Sequence, residues 1–287
     1  MESRLHLLGL VLDNSMDHPE SGEKQGPFTL AVPAGSECPR LHLHDRSETV
    51  SNFIRTFGVW QRPITAFLIN YLKEGDVFVD VGANIGYFSV YAGLCVGDSG
   101  RVHAIEPAPD NAALLAANLE LNGLSNAKVH RTAVADFTGE ATLYQGEFNA
   151  GAHSLVQKGD LAPGAEVPVT TLDRLLADEP KVKLMKIDVQ GAEISVLRGM
   201  KEMLSDPERR PAIIMEFSPG ELRRNDALEE FFDFVARNRY SLRAFIANER
   251  SRTKPPQIRR ATLRQIAKDF LFAKETAEFD LLLLTHR

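Results

Sequence analysis

The sequence predicts an α/β fold with a mostly parallel sheet, and three observations lead to that class. From Gly75 onward, apolar runs typical of strands alternate with longer runs typical of helices. The first strand-like run is continuously apolar, as expected for a strand buried on both faces. Several runs end in a carboxylate, and two lead into glycine turns. We therefore expect right-handed crossovers and a ligand site beyond the carboxyl ends of the strands.

Length and composition limit the possibilities further. The 287 residues suit an N-terminal extension of short strands and loop (1–50) followed by one large domain (51–287). A formal net charge of −6 argues against a dedicated nucleic-acid binder. No stretch approaches the roughly 20 apolar residues of a membrane span. Cys38 and Cys95 lack metal-ligand spacing, so reduced cysteines and a cytoplasmic location are predicted.

The elements before the sheet are short strands and helices. Residues 28–32 and 41–43 have strand-like patterns, separated by prolines and a glycine. Apolar residues then recur at three- and four-residue spacing over 50–72, which predicts helix. Pro63 marks the start of a second helical segment within that stretch.

The stretch 77–88, VFVDVGANIGYF, predicts a buried strand, a glycine turn and a helix start. Gly82 and Gly86 let a backbone approach a ligand closely, and helix N–H groups next to Asn84 attract an anion. Asp80 adds an acceptor for an ammonium or hydroxyl group. A ligand with both charges on one carbon, such as the methionine part of S-adenosylmethionine, suits this pair. The alternative is a tight turn without a ligand.

Glu106 favours the ligand-binding interpretation. It closes the next strand, predicted over 101–105, and lies 20 residues after Gly86. A carboxylate there is placed to accept the hydroxyl groups of a ribose. A nicotinamide-type fingerprint needs a glycine at the position of Asn84, so the pattern favours S-adenosylmethionine over NAD.

The later elements continue the alternation. The predicted strands span 128–132, 139–144, 167–170, 182–187, 212–215, 240–246 and 279–285. The predicted helices span 110–122, 171–176, 193–204, 227–238 and 262–270. The strands at 139–144 and 167–170 are expected in an insertion, and 249–260 is expected to be a loop. The last strand is expected to be antiparallel, at the sheet edge.

Five stretches together resemble the FkbM family of S-adenosylmethionine-dependent methyltransferases. They are DVGANIGYFS at 80–89, IEP at 105–107, NAGAHSL at 149–155, VTTLD at 169–173 and LMKIDVQGAEISVLRGM at 184–200. The resemblance covers roughly 50–250. It implies a Rossmann-like class I methyltransferase fold with a seven-stranded sheet covered by helices on both faces. It also implies O-methylation of a sugar, glycan or secondary metabolite. Many relatives carry Glu where this chain has Gln190, so no proton transfer is assigned there.

The candidate catalytic residues lie at strand ends and in one loop. Asp188 and Glu216 follow the fourth and fifth strands, and either acid is placed to serve the methyl-transfer side of the pocket. Glu193 lies in a first helical turn, where an acid also stabilises the helix dipole. His153 is a candidate base in a loop of small residues. Asp136 is a candidate acceptor for the adenine amino group, or a solvated loop acid.

Two questions stay open in the sequence. Asp188 and Glu216 have the hard oxygen ligands that Mg²⁺ prefers, although direct, metal-free transfer is favoured. An NAD(P)-dependent oxidoreductase and a non-catalytic interaction module are the competing functions. The expected partner is a small-molecule or glycan acceptor rather than nucleic acid, and the sequence does not indicate an oligomeric state.

Overall fold

The computed structural model describes residues 26–45, 48–145, 153–157, 161–218, 222, 227–246, 257–260 and 279–285. Its strands, numbered in chain order, are β1 (Phe28–Thr29), β2 (Arg40–Leu41), β3 (Val77–Val81), β4 (Arg101–Ile105), β5 (Ala127–His130), β6 (Ala133–Val134), β7 (Gly139–Gln145), β8 (Ala162–Thr170), β9 (Leu184–Ile187), β10 (Ala212–Phe217), β11 (Tyr240–Ile246), β12 (Gln257–Arg260) and β13 (Phe279–Thr285). Its helices are α1 (Thr49–Phe57), α2 (Arg62–Tyr71), α3 (Tyr87–Val96), α4 (Pro109–Leu121), α5 (Leu172–Leu175), α6 (Glu193–Arg198), α7 (Lys201–Ser205) and α8 (Leu228–Arg237).

The main sheet has the order β12-β11-β13-β10-β9-β3-β4-β5. The pairs from β10 to β5 are parallel, and β13 pairs antiparallel with both β10 and β11. This arrangement confirms the predicted Rossmann-like α/β fold and its seven mostly parallel strands. The sheet places the carboxyl ends of β3, β4 and β9 side by side.

Two details of the sheet correct the sequence-based expectations. The last strand is antiparallel as predicted, but it lies between β10 and β11 rather than at the edge. Its consecutive leucines, 281–283, are buried on both faces, which suits an interior strand. Residues 257–260, expected in a loop, form an eighth strand at the edge. That strand has only four residues, too few to show a periodic pattern.

Helices cover both faces of the sheet, as predicted. Alternate strand residues point to opposite faces. Val79 and Met185 lie in one hydrophobic cluster with residues of α6, α7 and α8. Phe78 and Leu184 lie in the other, with residues of α1 to α4. Both faces are therefore buried, which explains the continuous apolar runs in the sequence.

The N-terminal strands pack onto the main domain. Leu30, Val32 and Leu41 are buried in the same cluster as Ile54 and Tyr91. The hydroxyl of Tyr91 donates to the carbonyl of Val32 at 2.7 Å. Strand β1 lies within the segment predicted over 28–32, whereas β2 overlaps the segment predicted over 41–43 only at Leu41.

The remaining predictions are mostly confirmed. Residues 50–72 form two helices, and the insertion forms a separate sheet of order β6-β8-β7. The helix expected through residue 204 is interrupted at Gly199, where a Cβ would lie 2.1 Å from the carbonyl oxygen of Ala135. The helix expected at 262–270 lies outside the described residues. Within the described part of the chain, no helix has the length and apolar character needed to cross a membrane.

Candidate active site

An open cleft lies at the carboxyl ends of β3, β4 and β9. Its empty space is about 530 Å³, part of it open to solvent. Residues of two turns line it: the first turn (residues 82–86) follows β3 and the second turn (residues 188–192) follows β9. Five of the predicted site residues line the cleft: Gly82, Asn84, Glu106, His153 and Asp188.

The first turn packs directly on the second. Gly82 has a φ of +79°, and a Cβ there would lie 1.9 Å from the carbonyl oxygen of Asp188. Gly86 has a φ of +87°, and its Cβ would lie 2.5 Å from a methyl group of Leu115. The sequence explains these glycines by approach to a ligand. The structure adds a second reason for glycine at these positions: a Cβ at either one would collide with other atoms of the protein.

Two acceptor atoms at the first turn are buried and have no hydrogen-bond partner among the described residues. One is Oδ1 of Asn84, a residue with a φ of +51° that lines the cleft. The other is Oδ1 of Asp80, whose Oδ2 accepts a hydrogen bond from Ser89 at 2.6 Å. Burial raises the pKa of Asp80. Asp80 is 1% exposed and is not among the lining residues.

Glu106 joins the first turn to the start of α4. Its carboxylate accepts the N–H of Asn84 at 2.8 Å and the N–H of Ala108 at 2.9 Å. The side chain of Asn111 also donates to it. Burial raises the pKa of Glu106 to about 7, and these donors lower it only in part. The sequence places this carboxylate at the cleft, and the structure agrees.

Lys186 is the residue that sequence reasoning missed. It lies inside β9, is 4% exposed, and its ammonium contacts the carboxylate of Asp188 at 2.8 Å. The ring of Phe88 is 5.0 Å from the same ammonium. Burial alone would lower the pKa of Lys186, but Asp188 and Asp80 raise it. A lysine within the apolar run LMKI was the available signal, because a buried strand lysine needs a partner.

Lys186 determines the charge state of Asp188. Burial favours the neutral acid, but the charge and hydrogen bond of Lys186, together with the hydrogen bond from Gln190, outweigh burial and lower the pKa of Asp188. Lys186 also lies opposite Asp80 in the parallel register of β3 and β9. One buried cation therefore lies between two carboxylates near the carboxyl ends of β3 and β9.

Gln190 connects the two acids proposed to act together. Its amide donates to Asp188 at 2.9 Å and to Glu216 at 2.7 Å. Glu216 lies within β10 rather than after it, because the strand extends through Phe217. It does not line the cleft. Each oxygen of Asp188 already faces a nitrogen donor, so this pair does not fit a Mg²⁺ site.

Glu193 holds the second turn. It is 7% exposed and accepts the N–H groups of Val189 and Gly191 at 3.2 and 3.0 Å. Burial raises its pKa to about 7. Because its carboxylate is directed at the turn and it does not line the cleft, its contacts favour a structural role over a catalytic one.

His153 lines the cleft from the insertion. Its Nδ1 is buried and has no hydrogen-bond partner among the described residues. Burial and the nearby His44 lower the pKa of His153, and Asp110 and Glu48 oppose them. The next residue, Ser154, donates its hydroxyl to the carbonyl of Gln190 at 2.8 Å. This bond connects the histidine segment to the second turn.

Asp136 contacts side chains of α6. Its carboxylate accepts from the hydroxyl of Ser195 at 2.6 Å and is 3.7 Å from Arg198. The bond from Ser195 lowers the pKa of Asp136. Asp136 does not line the cleft, so its contact with adenine stays a prediction without support from the geometry.

Comparison with known proteins gives a family match. The family model described as the methyltransferase FkbM domain matches residues 80–242. The matched segment contains both turns and all the candidate residues. It begins at Asp80, so residues 26–45 and helices α1 and α2 lie outside it.

Three curated relatives are similar over part of the chain. The 31-O-demethyl-FK506 methyltransferase FkbM of Streptomyces tacrolimicus is 32% identical, over 46% of this chain and 62% of its own. Methyltransferase 1 of Beauveria bassiana is 30% identical, over 45% of this chain and 60% of its own. The hexuronic acid methyltransferase AglP of Haloferax volcanii is 27% identical, over 50% of this chain and 58% of its own. The chain thus spans about 60% of the length of these relatives.

Proposed function

The chain belongs to the FkbM family of methyltransferases, and from that premise we propose that it is an S-adenosylmethionine-dependent O-methyltransferase. The acceptor is a hydroxyl group of a sugar, a glycan or a secondary metabolite. The observation that carries the proposal is the cleft lined by the two turns and Glu106, where Glu106 and Asn84 present acceptor oxygens. The names of two relatives, an O-demethyl-FK506 methyltransferase and a hexuronic acid methyltransferase, support the acceptor class.

The cleft fits the chemistry of the cofactor. S-adenosylmethionine carries ribose hydroxyls, an adenine amino group and an ammonium, all of which donate hydrogen bonds. The unpartnered oxygens of Asn84 and Asp80 need donors. Glu106 is the candidate for the ribose hydroxyls. The carboxylates of Glu106 and Asp188 also match the positive charge of a sulfonium.

The cofactor supplies a methyl group that is already activated for displacement. Alignment of the acceptor hydroxyl then contributes much of the rate, because a well-oriented pair avoids about 7–11 kcal/mol of entropic cost at best. The residues of this chain must hold the acceptor and remove its proton.

Among the candidate bases, His153 has the most suitable environment. Its lowered pKa leaves the ring neutral at pH 7, and its buried Nδ1 is available to accept a proton. Asp188 is held ionised by Lys186, which makes it a weak base and a good hydrogen-bond acceptor. We therefore propose that His153 accepts the proton of the acceptor hydroxyl and that Asp188 orients the ligands.

The test is isothermal titration calorimetry with S-adenosylmethionine, with NAD and NADP as controls. We expect micromolar binding of S-adenosylmethionine alone. Glu106→Ala should weaken it at least 10- to 100-fold, since charged hydrogen bonds contribute about 1.5–3 kcal/mol each. The exposed Glu120→Ala is the matched control. Binding of NAD instead would favour an oxidoreductase, and binding of none of the three would favour an interaction module.

The class of acceptor and the need for a metal require separate measurements. Transfer of labelled methyl to a panel of sugars and polyketides, with and without EDTA, tests the hydroxyl acceptor and the metal-free reaction. Transfer to RNA tests the prediction that nucleic acid is not a substrate. A cytoplasmic location stays a prediction from the sequence.

A further inference from the structure

Three asparagines, two on α4 and one at its C-cap, contact an N-terminal segment that lies outside the matched family domain. Asn111, Asn118 and Asn122 all reach residues 40–44, which we call the strap. The spacings of seven and four place these side chains on one side of the helix. Asn111 is 2% exposed and Asn118 is fully buried.

Two of the asparagines fix the strap on the helix. Asn118 accepts the N–H of His42 at 2.6 Å and donates to its carbonyl at 3.0 Å. Asn122 makes the same pair of contacts with Arg40, at 2.9 and 2.7 Å. Both asparagines thus bind the backbone of the strap, as a neighbouring strand would. These contacts set its register and need no particular side chain at residue 42.

The third asparagine contacts a strap side chain instead. The ring Nε2 of His44 is 2.8 Å from Oδ1 of Asn111. Since an amide oxygen only accepts, Nε2 carries the proton and donates it. The amide nitrogen of Asn111 is then directed away from His44, and it donates to Glu106. The result is a chain of hydrogen bonds, His44 to Asn111 to Glu106, that ends at the cleft.

The backbone of His44 is held separately. Its N–H donates to the hydroxyl of Ser51 at 3.1 Å, and its carbonyl accepts from Arg55. The imidazole is therefore presented to Asn111 from a fixed point. Without that donor, the Asn111 amide loses the contact that selects its orientation toward Glu106.

We propose that His44 is a positioning residue of the cofactor site, acting through Asn111 on the carboxylate of Glu106. The inference rests on the proposed function for its ligand, because Glu106 is the candidate ribose contact. It gives the strap, for which the sequence indicates no role, a part in cofactor binding. It also predicts that the matched family domain alone lacks one support of its own site.

The first experiment needs no ligand. The pKa of the Glu106 carboxyl is followed by ¹³C NMR in wild type, His44→Ala, Asn111→Ala and the control His42→Ala. Because the Asn111 bond lowers the pKa of Glu106, His44→Ala and Asn111→Ala should both raise it. His42→Ala keeps the backbone contacts and should not change it. Equal pKa values in His44→Ala and His42→Ala would overturn the proposal.

The second experiment measures affinity for S-adenosylhomocysteine. We expect His44→Ala to weaken binding about 3- to 10-fold, the loss typical of one neutral hydrogen bond. The double variant with Asn111→Ala should lose no more than Asn111→Ala alone. His44→Gln, which keeps a donor, should restore part of the affinity.

A ribose test separates positioning from general support of the fold. With the 2′,3′-dideoxy form of S-adenosylhomocysteine, wild type and His44→Ala should bind equally, because the hydroxyl contacts are absent. An equal loss with both ligands would assign His44 a merely structural role. If wild type binds neither ligand while the Glu106 pKa still responds to His44, the proposed function fails and the hydrogen-bond chain stands.

Discussion

Each of the two turns that line the cleft is contacted by a buried glutamate in almost the same local setting. Glu106 accepts one backbone N–H group of the first turn and one at the start of α4, and Glu193 accepts two backbone N–H groups of the second turn. Burial raises the pKa of both to about 7. Only Glu106 also lines the cleft.

The difference teaches that a perturbed pKa does not by itself mark a functional acid. Both glutamates would be candidates on that criterion. Glu193 uses its oxygens to hold its own turn, whereas Glu106 connects the first turn, α4 and the open cleft. Position relative to the cleft, not acidity, separates the candidate ligand contact, Glu106, from Glu193.

The second turn also contains a carboxylate whose charge is neutralised by a buried lysine. Removing that lysine should give the largest loss of stability predicted here. Asp188 in the second turn is paired with Lys186, which is 4% exposed. Lys186→Met leaves Asp188 and Asp80 without their cation. Breaking one side of a buried pair costs about 3–5 kcal/mol. Urea unfolding at pH 8 should show this loss.

The pH dependence of that loss identifies its cause. In wild type the pKa of Asp188 is lowered, so its contribution is present above about pH 4 and is lost only as pH falls through the lower folded value. In Lys186→Met both carboxylates should have raised folded pKa values, so the variant should recover stability as pH falls from 8 to 5. Lys183→Met, which loses only a contact 4.9 Å from the ring of Tyr71, is the control. A loss independent of pH would show that packing, not charge, is the cause.

The two glutamates should contribute alike to stability and differently to binding. Each has a folded pKa of about 7 against about 4.5 unfolded, so its stabilising contribution is full below pH 4.5 and is lost as pH rises through 7. The shift corresponds to about 3 kcal/mol for each residue. Glu106→Gln and Glu193→Gln should therefore each gain about that much relative to wild type between pH 5 and pH 8.

Binding should then separate the two variants. Glu106→Gln should lose affinity for S-adenosylhomocysteine, while Glu193→Gln should stay near the wild-type value at pH 7. Calorimetry on both variants, with circular dichroism to confirm folding, makes the comparison. Equal losses of affinity would show that the second turn contributes as much to the ligand as the first, and the distinction drawn from the cleft would be wrong.

Local features of this fold were readable from the sequence, and features that depend on strand order were not. The bounds of β3, β4, β11 and β13 agree with the periodicity, and Glu106 was placed at the cleft from strand-end logic alone. The interior position of β13 depends on which strands pair, which no local pattern records. Lys186 was overlooked for the same reason, because its significance depends on Asp80 lying opposite it in the neighbouring strand.

The acids were also hard to rank from the sequence. Glu106 and Asp188 directly follow strands, while Asp136, Glu193 and Glu216 follow a strand, begin a helix and end a predicted strand, respectively. Their side chains instead contact Ser195, backbone N–H groups and Gln190, respectively. Which way a strand-end side chain turns depends on such contacts, and these come from residues distant in the chain.

The smallest expected effect concerns the link between the second turn and His153. Ser154 is 2% exposed, donates to the carbonyl of Gln190 and accepts the N–H of Val156 at 3.0 Å. Ser154→Ala leaves both groups without that partner, which should cost about 1–2 kcal/mol of stability. Because the bond anchors the residue next to the candidate base, kcat should fall while affinity for S-adenosylhomocysteine stays unchanged. Ser205→Ala, which removes an exposed bond to the carbonyl of Glu202, is the matched control. A loss of affinity with unchanged kcat would place His153 on the cofactor side of the cleft instead of the acceptor side.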